Sequence, residues 1–282
     1  MYRALFERSL TATALLSALQ TWAIQLCVML IAGALFELLR SRRPSLGRTA
    51  LLPGAVGYFR AVCAAYALAG GAIVVFVVIR MHSWSSVTAT DLLQFLMDRG
   101  NFVFIGVLDD GALILFLLLA VRGGRLLEPA RAPNPAARRF GLTVVLVCAT
   151  LLTILAAQRL FNTIPSLRNA PSPVLAVQAP AGHPVGLEFV AWLLWVVVAV
   201  PVSEELCFRG ILYSGYRSVA GWVPALFLQA AIFVALHVQS GQLATITVAA
   251  LAFGLAYEAT GSIRVPMVAH GLLNLCAVLR IA

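Results

Sequence analysis

Apolar runs bounded by arginine and acidic positions dominate the chain, and the runs have the length of helices that cross a bilayer. In hydrocarbon every backbone N–H and C=O must be satisfied within its own segment, and an unpaired charge at mid-bilayer costs a few kcal/mol or more. Charge-free windows therefore predict spans. The first lies in the window between Arg8 and Glu37, too long for a signal-peptide core and without an obvious small-residue cleavage site. The second is Ala61 to Ile79, the third about Phe102 to Val121, and the fourth Phe140 to Gln158. The fifth runs from Phe189 to about Ser203 and leads directly into Glu204 and Glu205. The uncharged stretch Ser218 to Tyr257 is long enough for a sixth and a seventh, hinged near Ser240 and Gly241. The eighth is Val265 to about Leu279, opened by Gly261-Ser262 and by Pro266, a residue suited to a helix start. The fold class expected is an all-α polytopic bundle of about eight spans.

Three features interrupt this pattern. Asp91 to Arg99 is amphipathic and suits the membrane surface. Asp109 and Asp110 fall within the third run, where an interfacial start to the helix explains them more simply than a proton path. Pro165, Pro171, Pro173, Pro180 and Pro184 exclude one helix between Arg159 and Glu188, because each proline fixes φ and removes a donor. The expected division is residues 1–185, carrying about four N-terminal spans with a basic and a Pro-rich loop, and residues 186–282, a core of about four more.

Composition agrees: of 282 residues 61% are apolar and 11% charged, with mean hydropathy +0.95, against roughly 45 to 50% and about 25% in soluble domains. A soluble globule is excluded. All 20 basic residues are arginine, so the net charge of +9 points to GC-rich coding in a bacterium, not to nucleic acid, whose binders cluster charge on one polar face. Arginines concentrate in residues 37–60 and 122–139, which makes those connections cytoplasmic and puts both termini outside, with Arg209, Arg217 and Arg264 on the cytoplasmic side. The cysteines, Cys27, Cys63, Cys148, Cys207 and Cys276, stand singly in apolar runs and suit buried small hydrophobes better than disulfides or thiolate metal ligands.

Ionisable side chains inside apolar helices are functional candidates by default, and the last third of the chain concentrates them. Glu205 and Arg209 are i and i+4 with the acid first, the favourable order for a helical ion pair, so Glu205 is expected to be structurally occupied. Glu204 projects about 100° away, towards substrate or water. Pro201 cannot donate to the carbonyl of Val197, which predicts a kink just before the acids. His270 and Asn274 share one face of the eighth helix, and His237 follows Phe233 by one turn on the sixth. One carboxylate, two imidazoles and a carboxamide could together orient a water, deprotonate it and stabilise an oxyanion. The bland readings are a core histidine for His237 alone, interhelical hydrogen bonding for Asn274, and an interfacial position for Glu258. His82 and His183 fall in loops and carry no assignment.

Glu204-Glu205-x-x-x-Arg209, Phe233-x-x-x-His237 and His270-x-x-x-Asn274 resemble, in order and spacing, the three signatures of the CAAX-protease and bacteriocin-processing (CPBP, or Abi) family of intramembrane endopeptidases, which includes type II CAAX prenyl endopeptidase-like proteins. The tract Gly254 to Ile263, continuing to Pro266, resembles the segment before that family's final histidine. The resemblance covers about residues 186 to 282. It implies an intramembrane cavity open to the cytosol, a water activated by Glu204 with His237, and an oxyanion held by His270 and Asn274. Glu205, Arg209 and Phe233 are then supporting residues.

The family has been described both as metalloproteases and as glutamate-type proteases, and Glu204, His237 and His270 are also a possible zinc set. The balance falls on water without a metal. Asn274 is a poor zinc ligand, and no acid stands near either histidine in sequence to orient it. His-Glu-x-x-His is absent, Leu212 replaces the first glycine of a rhomboid Gly-x-Ser-Gly before Ser214, and Asp109 and Asp110 are adjacent instead of paired across helices. The expected partners are a membrane-associated protein or peptide substrate and the lipid bilayer. In a bacterial inner membrane, sorting-signal removal or peptide maturation fits better than prenylated clients. An ion-coupled transporter lacks the paired broken helices of two symmetric halves, and a non-catalytic immunity or scaffold protein need not keep the four site residues.

Overall fold

A computed structural model describes residues 27–39, 41–42, 140–165, 187–237 and 242–279. The spans expected at 61–79 and 102–121, the amphipathic 91–99, Asp109 and Asp110, the basic connection 122–139, the hinge at Ser240 and Gly241, and most of the Pro-rich loop lie outside the described residues.

The described residues are helical, with no strand among them. α1 is Cys27–Leu39, α2 Phe140–Thr163, α3 residues 187–220, α4 Trp222–Leu236, α5 Leu243–Thr260 and α6 Arg264–Val278. Three segments, Leu142–Thr163, Phe189–Ala220 and Leu243–Thr260, are long and apolar enough to cross a membrane, and the chain is an integral membrane protein. At 15 residues each, α4 and α6 are only about 22 Å long, shorter than the hydrocarbon thickness of about 30 Å.

The largest departure from expectation is α3. The fifth span was expected to stop near Ser203, yet the helix continues through both glutamates and Arg209 to Ala220. Charges end a span only when they need water. Glu205 and Arg209 satisfy each other inside the bundle, so they impose no exit. The kink expected before Pro201 takes the form of a π-helical turn, Trp195–Ala199, and a second π-helical stretch, Leu206–Tyr213, follows the glutamates. In the first turn the Val200 N–H bonds to Trp195 O, five residues back. The next bond in that register would join residue 201 to Val196 O, but residue 201 is proline and has no N–H.

Gly221, at φ 89, ends α3 and turns the chain into α4, and its N–H closes on Arg217 O. Gly261, at φ 65, ends α5 in the left-handed conformation, with its N–H 2.7 Å from Tyr257 O. α5 packs between α4 and α2, and α6 lies against α2, α5 and the first half of α3. α1 joins the core through Phe36, which meets Tyr216 edge-on, while the Tyr216 hydroxyl donates to Ala32 O. Cys207 is buried as expected, but Cys27 and Cys148 are exposed. On a lipid-facing protein an apolar position need not be an interior one.

Candidate active site

The centre of the described bundle is an ion pair with no exposure to solvent. Arg209 Nη1 donates to Glu205 Oε1 at 3.0 Å, and Nη2 donates to the carbonyl of Ala250 on α5 at 3.1 Å. Glu205 Oε1 also faces His270 Nδ1 at 3.0 Å. A carboxylate only accepts, so the proton belongs on Nδ1 and the Nε2 of His270 is turned the other way. Nε2 lies 3.8 Å from Glu204 Oε2.

His237 is held in a parallel manner. It caps the C-terminus of α4, and its Nδ1 lies 2.7 Å from the carbonyl of Phe233, an acceptor that again fixes the proton on Nδ1. Its Nε2 faces Glu204 Oε1 at 3.7 Å. With neutral rings, three acceptors therefore converge: both Nε2 lone pairs and the Glu204 carboxylate. Both separations are too long for direct hydrogen bonds and of the size at which a polar bridge belongs. Glu204 retains 19% side-chain exposure, against 0% for Glu205. The two adjacent acids thus occupy different environments, as their angular separation on the helix requires.

Asn274 connects to the π-helical turn. Its Nδ2 donates at 2.9 Å to Val196 O, the carbonyl that Pro201 cannot serve. One turn earlier on the same face, Gly271 lets α6 approach so closely that a Cβ there would lie 2.6 Å from Val197 O. The proline on α3 and the glycine and asparagine one turn apart on α6 are three parts of one helix contact. The other proton on Nδ2 is not used in that bond.

Aromatic rings flank the charges. The Arg209 guanidinium lies 5.1 Å from the Phe233 centroid and 5.3 Å from that of Phe253. Phe233 stacks on His237 and Phe253 on His270. Desolvated cation–π contacts of this kind contribute about 2 kcal/mol each. Glu205 Oε2 and Arg209 Nε have no hydrogen-bond partner among the described residues, so the pair is buried at some cost in unmade bonds.

Glu258 lies apart from this centre. It accepts the Tyr213 hydroxyl at 2.6 Å and pairs with Arg217 at 2.8 and 2.9 Å, tying α5 to α3.

The structure brings Glu204, Glu205, Arg209, Phe233, His237 and His270 into one contact network and joins Asn274 to α3. The sequence reading missed Phe253 and the acid behind His270. No spare acid beyond Glu204 is evident near either histidine in the sequence, yet Glu205, 65 positions away in the chain, is in contact with His270. The close i, i+4 partner in sequence drew attention to Arg209 alone.

Residues 186–276 match the family model of type II CAAX prenyl endopeptidase Rce1-like proteins. No curated protein and no solved structure matches the chain. The Rce1-like segment begins just before α3 and ends in the last turns of α6, so it contains the whole cluster from Glu204 to Asn274. The likeness covers about a third of the chain and falls within the membrane-embedded bundle.

The donor types of Glu204, His237 and His270 suit zinc, and Glu205 and the Phe233 carbonyl orient both imidazoles, which removes the objection that no group does so. Glu204 stands 3.7 and 3.8 Å from the two Nε2 atoms, slightly wider than an ion would draw them. Among the described residues no group of three or more His, Cys, Asp or Glu is gathered as metal ligands. Bonds of about 2.0 to 2.2 Å in tetrahedral array would bring the ligating atoms to within roughly 3.5 Å of one another.

Proposed function

We propose that the chain is an intramembrane endopeptidase in which Glu204 activates a water against a peptide bond of a membrane-associated protein or peptide. The observation that carries this reading is the Glu204 carboxylate turned to the Nε2 atoms of two imidazoles whose Nδ1 atoms are already held. A water donates one proton to Glu204 Oε1 or Oε2 and the other to His237 Nε2, which leaves its lone pair directed outward. Its oxygen attacks the scissile carbonyl carbon, and its proton passes to Glu204. The oxyanion accepts from the second proton of Asn274 Nδ2 and from His270 Nε2, whose ring in this step takes a proton from solvent before the attack and keeps it through the cycle. On collapse Glu204 returns the proton to the leaving amine. No step passes through a metal.

The Rce1-like match supports a CAAX-type C-terminal cleavage, and the arginine-only composition supports a bacterial inner membrane. There, sorting-signal removal or peptide maturation is the client class. The family resemblance supports an opening on the cytosolic side, and the arginine-rich connections agree with that orientation.

The test uses the full chain in detergent with an internally quenched peptide ending in a farnesylated CAAX sequence, alongside mass spectrometry of membrane-protein C-termini from expressing cells. Glu204→Gln should remove turnover by at least about 100-fold, the scale of a general base, at unchanged yield. Wild-type turnover in Glu204→Gln with loss in Glu205→Gln would reverse the two roles. Activity should survive prolonged 1,10-phenanthroline, with substoichiometric zinc by elemental analysis. One zinc per chain, lost with activity and restored on re-addition, would replace the metal-free account.

A further inference from the structure

Phe253 lies outside the three sequence motifs, on α5, and is 1% exposed. Its ring is 5.0 Å from the His270 ring at an interplanar angle of 22°, and its other neighbour is the Arg209 guanidinium. Phe233, whose ring centroid is 5.1 Å from the same guanidinium, repeats the arrangement, with its ring 4.3 Å from His237 at 24°. Pairwise contacts therefore run from His237 through Phe233, Arg209 and Phe253 to His270. These groups come from α3, α4, α5 and α6, so four helices meet in one run of contacts. Each imidazole is also fixed at Nδ1, by Phe233 O or Glu205 Oε1. A hydrogen bond at one nitrogen sets the direction of that N–H but leaves the ring free to rotate about it. A flat neighbour removes that rotation.

We infer that Phe253 is a positioning residue: with Arg209 and Phe233 it forms an aromatic–guanidinium clamp that sets the planes of His237 and His270 and so aims both Nε2 atoms at Glu204. Arg209 is the shared member, because one guanidinium carbon lies over both rings and the same group bonds to Glu205, which holds His270. A lysine there keeps the charge and loses the plane. The clamp rests on the proposed peptidase reading only for its kinetic consequence, since the stack is a structural assignment.

The experiment joins a spectroscopic arm that needs no substrate to a kinetic one. The full chain, labelled with 13C,15N-histidine and solubilised in detergent, is compared with Phe253→Leu, Phe233→Leu and Arg209→Lys, the His237 and His270 signals being assigned from His237→Asn and His270→Asn. In the wild type both ring-proton signals should lie upfield of their positions in the denatured chain, as for rings stacked on phenyl faces. Phe253→Leu should move His270 and leave His237, Phe233→Leu should do the reverse, and Arg209→Lys should move both. Wild-type ring protons at denatured-chain positions would overturn the clamp even if Phe253→Leu fails to accumulate, as would an unmoved His270 in Phe253→Leu. With the farnesylated peptide, Phe253→Leu should lower kcat about 10- to 100-fold, the scale of a small misplacement of catalytic groups, with KM within about twofold. An active wild type with an equally active Phe253→Leu overturns the positioning role. A wild type no faster than Glu204→Gln on this peptide, with the same membrane-protein C-termini in cells expressing either, overturns the peptidase reading instead, and the histidine spectra still decide the clamp.

Discussion

Arg209 makes more use of its guanidinium than an ordinary ion pair would. Its carbon lies over two phenyl rings, one nitrogen holds Glu205, and another holds a backbone carbonyl on α5. Truncating one partner of a buried pair leaves the other charge uncompensated, a loss of about 3 to 5 kcal/mol, so Arg209→Ala should sharply reduce folded protein in detergent-solubilised thermal unfolding. Glu205→Gln with Arg209→Gln removes both charges and should recover part of the yield. A double variant as poorly folded as Arg209→Ala would mean that shape and stacking, not charge compensation, hold this site. Glu204 lies beside this pair yet keeps partial exposure, so Glu204→Gln should leave the unfolding temperature near that of the wild type while turnover is lost.

At the scale of elements, the junction of α3 and α6 follows from one missing hydrogen. Pro201 leaves Val196 O unserved in the π register, and Asn274 supplies the donor. Interhelical hydrogen bonds between membrane helices average about 0.6 kcal/mol with a maximum near 1.7, so Asn274→Leu should destabilise by about 1 kcal/mol. Adding Pro201→Ala restores a backbone donor and should recover most of that loss of stability, though not the activity assigned to Asn274. Additive losses in the double variant would show that the two residues do not act on a common carbonyl. The glycines on these helices are expected to differ in sign. At Gly271 a Cβ would lie 2.6 Å from backbone, which cannot rotate away, so Gly271→Ala should cost about 1 to 3 kcal/mol. At Gly210 the nearest atom is Ile263 Cδ1 at 3.4 Å, so Gly210→Ala should be neutral or stabilising by up to about 1 kcal/mol, helped by the helix propensity of alanine. Thermal unfolding of the two single variants checks both.

For the whole molecule, the Rce1-like segment is tied to a helix near the start of the chain. Tyr216 OH reaches Ala32 O at 2.6 Å across 184 positions, and Phe36 packs on the same ring. The contact lies on the last part of α3, beyond the π-helical stretch that carries Arg209. Tyr216→Phe should therefore lower stability by about 0.5 to 1.5 kcal/mol, the net value of one hydrogen bond, with kcat per folded molecule unchanged. A fall in kcat at full folding would make α1 part of the working site and not a buttress for it.

The sequence by itself determined that the chain is helical and membrane-embedded, because apolar runs of that length have no other way to satisfy their backbone in lipid. It also separated Glu204 from Glu205, because adjacent residues on a helix diverge by about 100° and only one of them has an i+4 arginine. The limits of α5 and α6 were legible from Gly261 and Pro266, whose backbone constraints are local. Tertiary structure decided the rest. Whether the charges end a span depended on a pairing that only the folded bundle makes dry, so α3 passes through Glu204 where the sequence predicted its end. The contact of Glu205 with His270, the service of Val196 by Asn274 and the place of Phe253 beside Arg209 all join residues on different helices. Helical periodicity orders residues along and around one axis. It carries no information on which faces of separate helices meet.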